Sequence, residues 1–485
     1  MPVSNQLKNQ HLLWRAGFGV SATDIPTLSG MRTEDLVKKI MAASAEKPAY
    51  IDVAENAFQG MAGGLRELVK MKKEMENKED RQKLQKLNRE GIRNLNLTWL
   101  KQMWETPAQL REKMSLFWHG HFACRVINVY YQQLLLDGIR QNALGNFGDL
   151  LRAVSRSAAM INFLNNQQNR KKHPNENFAR EVMELFTLGR GNYTENDVKE
   201  AARAFTGWGA NFAGEFVFRA NQHDDDTKTI LGKTGRFNGD DVINLLLEQK
   251  QTARYITGKL WRFLVNEQKA DKEKINWLAD RFYNSNYDIQ ALLRDIFSAS
   301  WFYDSEHIGS KIKSPVELLA GIHRVLPMKL ENEDVLLNVQ RALGQTLFFP
   351  PNVAGWPGGR QWIDSSTLIL RLRMPRLIFD AEEFAVRPKD DDDVSGGMED
   401  KTQMNKLKRM AGGRIIRAQI NWEQVEQPFA QTDMAKLGDT LTATLLQTPA
   451  VSFSRKLVTD HSGDRSRLLR NTIINIMSTP EYQLC

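Results

Sequence analysis

The chain has 485 residues, enough to bury a sizeable core and to hold about two or three domains. Its 66 basic and 58 acidic residues leave a formal net charge of +8, which is small beside the number of charges. The densest basic stretch, 70–93, is interleaved with Glu and Asp, as in a solvated helix, so we expect no nucleic-acid binding. Only two cysteines are present, Cys124 and Cys485, which excludes a scaffold held by several disulfides.

We expect neither export nor membrane insertion. Residues 1–8 lack the apolar run of a signal peptide. No stretch approaches the ~18–20 consecutive apolar residues of a membrane span. With 41% hydrophobic and 26% charged residues, the composition is typical of a soluble globular protein, and the expected location is cytoplasmic.

Helical patterns dominate the first hundred residues. Residues 9–20 predict a short helix, and Thr33 is placed to cap a second one. The stretch 64–105 is charged and rich in helix formers but has no sustained heptad pattern. It therefore predicts a projecting helical arm rather than a coiled coil. Pro107 suits the first turn of the helix that follows.

Two consecutive helices over 175–189 and 191–208 form the centre of the predicted fold. Gly189 is placed to end the first helix, where a residue with positive φ is needed. Thr194 is placed to cap the second helix, and Asp197 stands three residues on to complete a capping box.

Beyond this pair the chain is predicted to return to helices after a short irregular part. Weak alternation over 210–219 predicts a small β-hairpin, followed by a loop at 223–232. A stiff loop rich in Pro and Gly spans 350–362. We predict a mainly α, multi-helical globular fold. The expected division is an N-terminal helical segment (1–63), a charged helical arm (64–106), a main helical domain (107–386), a flexible insertion (387–412) and a C-terminal helical extension (413–485) that packs on the main domain.

The charged residues of the central helices are the first candidates for a functional site. Arg180, Glu181 and Glu184 lie opposite the apolar face of the first helix. With Arg203 of the second helix, they would supply a general base and a clamp for an anionic group. They would equally well pair with one another in an ion network. Two polar residues near the helix starts are further binding candidates: Asn175 and Asp197.

A histidine pair suggests a metal centre. His119 and His121 stand two apart, about 200° from each other on a helix, so they share one metal only if the chain leaves helical geometry at Gly120. A mixed set of N and O ligands would suit zinc, manganese or iron. No HExxH or CxxC spacing is present, and a histidine beside Trp118 or Phe122 also serves as a hydrogen-bonded core residue. The candidate ligands are His119, His121, Glu181, Glu184, His223 and Asp224.

The Pro/Gly loop at 350–362 and the residues at the end of the 223–232 loop carry weaker signals. Trp356 and Trp362 would stack on a sugar ring or a base, or pack over the core. Leu231–Thr234 imitates the end of a phosphate-binding P-loop, but Thr227 stands where the first Gly is required, so we reject that interpretation. No G-x-S-x-G, Ser-His-Asp or Cys-His signature is recognisable.

Seven stretches, in order, resemble the motifs of one bacterial family. They are Leu12–Gly19, Phe117–Phe122, Asn175–Gly189, Gly191–Trp208, His223–Gly232, Pro350–Gly359 and Pro480–Gln483. On these motifs the chain resembles, over nearly its whole length, the family catalogued as domain of unknown function 1800, which implies no established activity. The resemblance also implies relatives that look exported and neighbouring genes for a family similar to sulfatases and alkaline phosphatases. In the fifth motif Asp225 and Asp226 stand where the family usually has a Gly, so a less tight turn is expected there.

Two hypotheses follow. The first is a hydrolase-type enzyme, metal-assisted in one version, that acts on a small-molecule or anionic substrate. The second is a non-catalytic interaction or assembly protein, whose partner would come from the sulfatase- and phosphatase-like family. They differ in whether the charged side chains converge on an accessible cleft or pair in the interior. The candidate catalytic residues are His119, His121, Glu181, Glu184, Arg180 and Arg203.

Overall fold

A computed structural model describes residues 3–54, 78–211, 213–380, 383–384, 414–447 and 464–485. Within these ranges the fold is mainly α, which confirms the predicted class, and no helix in them is long and apolar enough to cross a membrane. The helices are α1 (Asn5–Arg15), α2 (Thr33–Ala43), α3 (Lys78–Glu105), α4 (Gln109–His121), α5 (Val129–Asn142), α6 (Phe147–Ser155), α7 (Ala158–Phe163), α8 (Glu176–Met183), α9 (Glu195–Ala204), α10 (Gly239–Glu248), α11 (Lys250–Leu264), α12 (Lys272–Asn284), α13 (Ile289–Ser298), α14 (Pro315–Val325), α15 (Asp334–Leu343), α16 (Ser365–Phe379), α17 (Trp422–Glu426), α18 (Met434–Leu445) and α19 (Arg465–Met477).

Short strands form four antiparallel pairs in the part of the chain that the structure describes. They are β1 (Trp208–Ala210) with β2 (Phe216–Phe218), β3 (Lys228–Ile230) with β4 (Lys233–Gly235), β5 (Met328–Leu330) with β8 (Ala418–Ile420), and β6 (Glu383–Phe384) with β7 (Arg414–Ile415). The β1–β2 pair is the predicted hairpin. The β3–β4 hairpin was not predicted, because Leu231 adopts a positive φ in its two-residue turn, which leucine rarely does.

Two clusters of buried apolar side chains make up the core. The first is built from α1, α2 and the helices from α4 to α13. The second is built from α3, α14 to α16 and the C-terminal helices α17 to α19. The β5–β8 pair, in which Lys329 is the partner of Gln419, also ties the C-terminal extension to the chain before it. The second cluster crosses the expected boundaries near residues 107 and 413, and the domain division itself stays a prediction.

Helix α3 is the described part of the expected charged arm. Residues 55–77, and the expected insertion at 387–412, lie outside the described residues. The first turns of α3 are exposed, but from Asn88 onward one side of the helix is buried, so the C-terminal half does not project. That side has helical spacing, which the interleaved charges mask in the sequence. It carries Ile92, Leu95, Trp99 and Met103, all no more than 2% exposed.

Helix α4 lies between the two clusters and is buried on all sides except at Gly120. Leu110 and Met114 belong to the first cluster, and Leu116 belongs to the second. At its C-terminal end the Pro/Gly loop packs against its backbone. Gly355, with φ of 87°, stands so close that a Cβ there would overlap the Gly120 carbonyl oxygen.

We predict that Gly355→Ala destabilises the protein by about 2 kcal/mol or more, because the new Cβ meets both the Gly120 backbone and an unfavourable φ. Denaturant unfolding of the purified variant measures this loss. The matched control is Gly358→Ala in the same loop, where φ is −118° and a Cβ meets nothing within 4 Å. Equal losses in both variants would contradict the close packing of the loop on α4.

Candidate functional site

The polar residues at the starts of the two central helices are helix caps. The Asn175 side-chain oxygen accepts the Asn177 N–H at 3.0 Å and begins α8. Thr194 and Asp197 form the predicted capping box of α9. Asp197 also accepts the Leu231 N–H of the β3–β4 hairpin at 2.7 Å. Backbone N–H groups therefore engage the side-chain oxygens of both candidate binding residues, Asn175 and Asp197.

Helix α8 continues into a π-helix over Glu184–Leu188, which ends at the predicted Gly189 with φ of 79°. A Cβ at Gly189 would press on the Tyr255 ring of α11, so glycine is required on two grounds. Single π-helical turns are frequent at functional sites because they redirect backbone groups. The Phe186 carbonyl of this turn accepts a bond from the His121 side chain of α4.

Arg180 forms a surface ion pair with the next helix. Its two terminal nitrogens donate to both carboxylate oxygens of Glu195 at 2.8 and 2.7 Å, and one also donates to Glu176 at 3.1 Å. The side chain of Glu195 is 69% exposed, so solvent screens the pair and it contributes little to stability. Arg180 therefore links α8 to α9, and both of its terminal nitrogens are engaged by carboxylates.

Arg203 holds the following loop onto α9. It donates to Asp224 at 2.8 and 3.2 Å and to Glu200 at 2.9 and 3.1 Å. Burial raises the pKa of Asp224, but the hydrogen bonds from Arg203 and from the Asp226 N–H, together with the charges of Arg203 and Lys228, lower it further than burial raises it. Asp224 also accepts the Asp226 N–H at 3.0 Å, which closes the loop where the motif usually has a glycine. These charges form an internal ion network.

His223 has a structural environment in the same loop. Its Nδ1 lies 2.9 Å from the Thr206 carbonyl oxygen. A carbonyl can only accept, so Nδ1 carries the proton in this arrangement. Its Nε2 stands 4.0 Å from an Asp225 carboxylate oxygen, beyond hydrogen-bonding distance.

The two glutamates of the α8 segment differ in their environments. Glu184 accepts hydrogen bonds from the Tyr193 hydroxyl and from Arg190, and these bonds lower its pKa. Glu181 is half-buried, and no described residue donates a hydrogen bond to its carboxylate. Burial, and next the charge of Glu184, raise the pKa of Glu181. Glu181 is therefore the central carboxylate that stays available for proton transfer.

His119 is a core histidine of the second cluster. Its Nε2 accepts the Phe348 N–H at 3.2 Å, and its ring lies 5.0 Å from the rings of Trp99 and Phe348. Burial lowers the pKa of His119 to about 3, so the ring stays neutral at physiological pH. The Trp356 ring, partly exposed, is centred 5.4 Å from it, whereas Trp362 is buried and packs in the core.

His121 faces the first cluster and forms a pair with Lys259 of α11. Its Nε2 lies 3.2 Å from the Phe186 carbonyl, so Nε2 carries the proton and Nδ1 accepts from the Lys259 Nζ at 3.1 Å. Burial, and next the charge of Arg262, lower the pKa of Lys259 to about 8. Burial and the Lys259 charge keep the pKa of His121 well below its ordinary value. A partly exposed amine that titrates near neutrality is an expected property of an acid–base site.

The residues predicted to bind a metal do not fit one metal centre. Helix α4 continues through Gly120 to His121, so the two histidines point into different clusters. Each is engaged by its own partners, and both oxygens of Asp224 are held by Arg203. Among the residues that the structure describes, no three His, Cys, Asp or Glu side chains are grouped so that they could hold a metal ion.

A comparison with protein families shows to which family the chain belongs. Residues 11–484 match the profile of a family described as protein of unknown function (DUF1800). The chain belongs to this family. A comparison with curated proteins finds no match, and neither does a comparison with solved structures.

Three of the seven motif stretches contact helix α4, whose C-terminal end carries the second motif. The first motif provides the Trp14 carbonyl, which accepts from the Lys113 ammonium of α4 at 3.0 Å. The third motif provides the Phe186 carbonyl to His121, and the sixth places Gly355 against Gly120. The motifs thus mark contacts of one buried helix rather than ligands of one metal.

Sequence reasoning missed Lys259, which lies in no motif. Helix α11 lies in the part of the chain that was predicted to return to helices, and Ile256 and Leu260 belong to its buried face. Lys259 stands at the edge of that face, three residues after Ile256, and a helical wheel would have marked it as a lysine next to the core. Its partner His121 was predicted as a candidate, but not the pairing.

We predict that Arg203→Met destabilises the protein several times more than Arg180→Met does. The first change leaves the mostly buried Asp224 carboxylate without its partner and should cost about 2–4 kcal/mol. The second breaks an exposed pair that solvent screens, so its cost should be several times smaller. Denaturant unfolding of both variants checks this order, and the reverse order would contradict the assignment of the ion network to Arg203.

Proposed function

We propose that this protein is a hydrolase-type enzyme in which Lys259, positioned by His121, is the proton-transfer group. The observation that supports it is the His121–Lys259 pair, a neutral histidine that accepts from a partly exposed amine with a pKa of about 8. Near neutral pH such an amine exchanges protons with bound water, which is what general acid–base catalysis needs.

The chemistry follows from the hydrogen bond. One N–H of the amine donates to His121, so the lone pair of neutral Lys259 is directed away from the ring. In the proposed hydrolysis the amine accepts a proton from a water molecule while the water oxygen forms a bond to the ester centre. The ammonium then returns that proton to the leaving oxygen as the ester bond breaks. Neither a metal nor a redox partner is required for this cycle.

The charge around the pair supports an anionic substrate. Arg262, exposed and three residues after Lys259, contributes to lowering the pKa of Lys259, so it lies close to the amine. The fixed positive charge of a guanidinium would attract an anionic group without neutralising the amine. Glu181 stays a second candidate for proton transfer.

A non-catalytic assembly protein is the second candidate. The internal ion network of Arg203, Glu200 and Asp224 favours it, because these side chains pair with one another and not with an open cleft. A partner from the sulfatase- and phosphatase-like family belongs to this version. The cytoplasmic location, expected from the N-terminal residues, stays a prediction.

The enzyme proposal predicts hydrolysis of at least one ester in a panel of 4-nitrophenyl phosphate, sulfate and carboxylate esters. Lys259→Met should lower the rate ~10²–10⁴-fold, because it removes the proton acceptor. In the wild type, kcat/KM should rise with pH through about 8, where the Lys259 amine loses its proton. Colorimetric assays of both proteins measure these effects.

The matched control is Lys250→Met, which removes an exposed lysine from the same helix. It should keep the wild-type rate. Equal activity in Lys259→Met and wild type, with the same pH profile, would contradict the role of Lys259. No hydrolysis of any ester would favour the assembly candidate.

A further inference from the structure

Five buried basic side chains surround one buried carboxylate between α1, α4, α14 and α16. Each of the six is no more than 5% exposed. Glu267, partly exposed, lies near enough for Lys311 and Arg15 to influence its pKa. Burial lowers the pKa of Lys113 to about 8 and that of Lys313 to about 7, and the charge of Cys485 also acts on Arg15. Buried charges are normally paired, so the partners of the two arginines decide what the cluster can bind. The buried basic cluster consists of Arg15, Lys113, Lys311, Lys313 and Arg371 around Glu317.

The carboxylate of Glu317 accepts hydrogen bonds from lysines and a backbone N–H, and none from the arginines. Its Oε1 accepts from the ammonium groups of Lys113 and Lys311, and its Oε2 accepts the Ser314 N–H at 2.8 Å. The Lys313 ammonium lies 3.7 Å from the Trp14 ring centre and donates to a carbonyl rather than to a carboxylate. Neither guanidinium group of the cluster is hydrogen-bonded to a carboxylate.

Arg371 presents an open hydrogen-bonding edge in the interior. Its Nη1 donates to the Lys313 carbonyl at 2.9 Å, but its Nε and Nη2 are buried and have no partner. Arg15 likewise donates through Nη2 to the His307 carbonyl at 2.9 Å, while its Nε and Nη1 have none. A buried donor without an acceptor is costly, and a charged one more so. Burial lowers the pKa of Arg371 to about 10, which still leaves the guanidinium charged at physiological pH.

The two unpartnered nitrogens of Arg371, Nε and Nη2, are the same pair that binds carboxylates at other arginines of the described chain. The Nε and Nη2 pair binds a carboxylate at four other arginines of the described chain. These pairs are Arg32 with Asp35, Arg140 with Glu112, Arg203 with Asp224, and Arg281 with Asp295. Such forks match planar or tetrahedral oxyanions bidentately.

A buried amide stands next to this edge along the backbone. The Gln483 carbonyl accepts the Lys313 N–H at 2.9 Å, and Lys313 is the residue whose carbonyl Arg371 contacts. The Gln483 side chain is 3% exposed, and neither its Nε2 nor its Oε1 has a partner. Arg371 and Gln483, each with unpartnered buried polar atoms, thus share Lys313 as a hydrogen-bonded neighbour.

We propose that Arg371, with Lys313 and Gln483 beside it, binds a compact oxyanion of the phosphate or sulfate type. The open Nε/Nη2 edge provides two parallel donors, and a dianion gains more from the buried guanidinium charge than a monocarboxylate does. This site goes beyond the proposed function, because it uses none of the proton-transfer residues and is tested by binding alone.

The test is the thermal midpoint of the full chain, desalted exhaustively, against sodium phosphate, sulfate or acetate, with sodium chloride holding the ionic strength constant. We expect a saturable rise with phosphate or sulfate and none with acetate, because a ligand of the native state stabilises it by mass action. Arg371→Lys keeps the charge but loses the fork, so the apparent Kd should weaken ~10-fold or more. Arg376→Lys, on the exposed side of the same helix, should bind as the wild type does.

A second measurement uses the wild-type protein alone, so it does not require any variant to fold. Ion chromatography of acid-denatured wild type should detect about one equivalent of phosphate or sulfate, either retained from purification or bound after saturation with the ion and desalting. No retained ion together with no saturable rise would overturn the proposal. So would an equal rise with all three anions, since that indicates screening of charge rather than a site.

Discussion

The fold depends on the burial of α4, because its polar side chains must find partners on every side. Consecutive residues on a helix point about 100° apart, so Arg111, Glu112 and Lys113 reach three different neighbours. Arg111 donates to the Ser44 carbonyl at 2.8 Å after α2, Glu112 is paired with Arg140 of α5, and Lys113 donates to Glu317 of α14. Removing one member of such a pair leaves an uncompensated buried charge. These bonds fix how both apolar clusters dock on α4.

The same constraint explains why the two predicted histidines have different environments. On a helix that continues through Gly120, one histidine must face each cluster, and each finds a neutral role as a hydrogen-bond acceptor. The π-helical turn supplies the carbonyl that fixes the His121 tautomer, and this leaves Nδ1 for Lys259. Burial penalises the ionised amine, so the penalty is present below about pH 8 and is lost above the pKa of the unfolded lysine, ~10.4.

Local signals in the sequence were sufficient for much of the architecture. The capping box of Thr194 and Asp197 and the end of the α8 segment at Gly189 depend on neighbouring residues alone. The side-chain pairs between helices were not predictable. Arg180 of α8 pairs with Glu195 of α9, and Lys259 pairs with His121, which is 138 residues away in the sequence. The buried side of α3 was hidden for a related reason, since its apolar stripe lies among charges that face solvent. Whether the charged side chains of the central helices line a cleft or pair with one another therefore depends on tertiary contacts, which the sequence alone does not show.

Burial of Lys259 against α4 lowers the pKa of its amine to about 8. Competitive acylation of the folded wild type, read for each lysine by mass spectrometry over a range of pH, measures its pKa directly. We expect the reactivity of Lys259 to rise with an inflection near pH 8, and the same lysine in urea-unfolded protein to show an inflection near ~10.4. The same inflection in the folded and unfolded protein would contradict the account, because it would show that α4 and α11 do not perturb the amine.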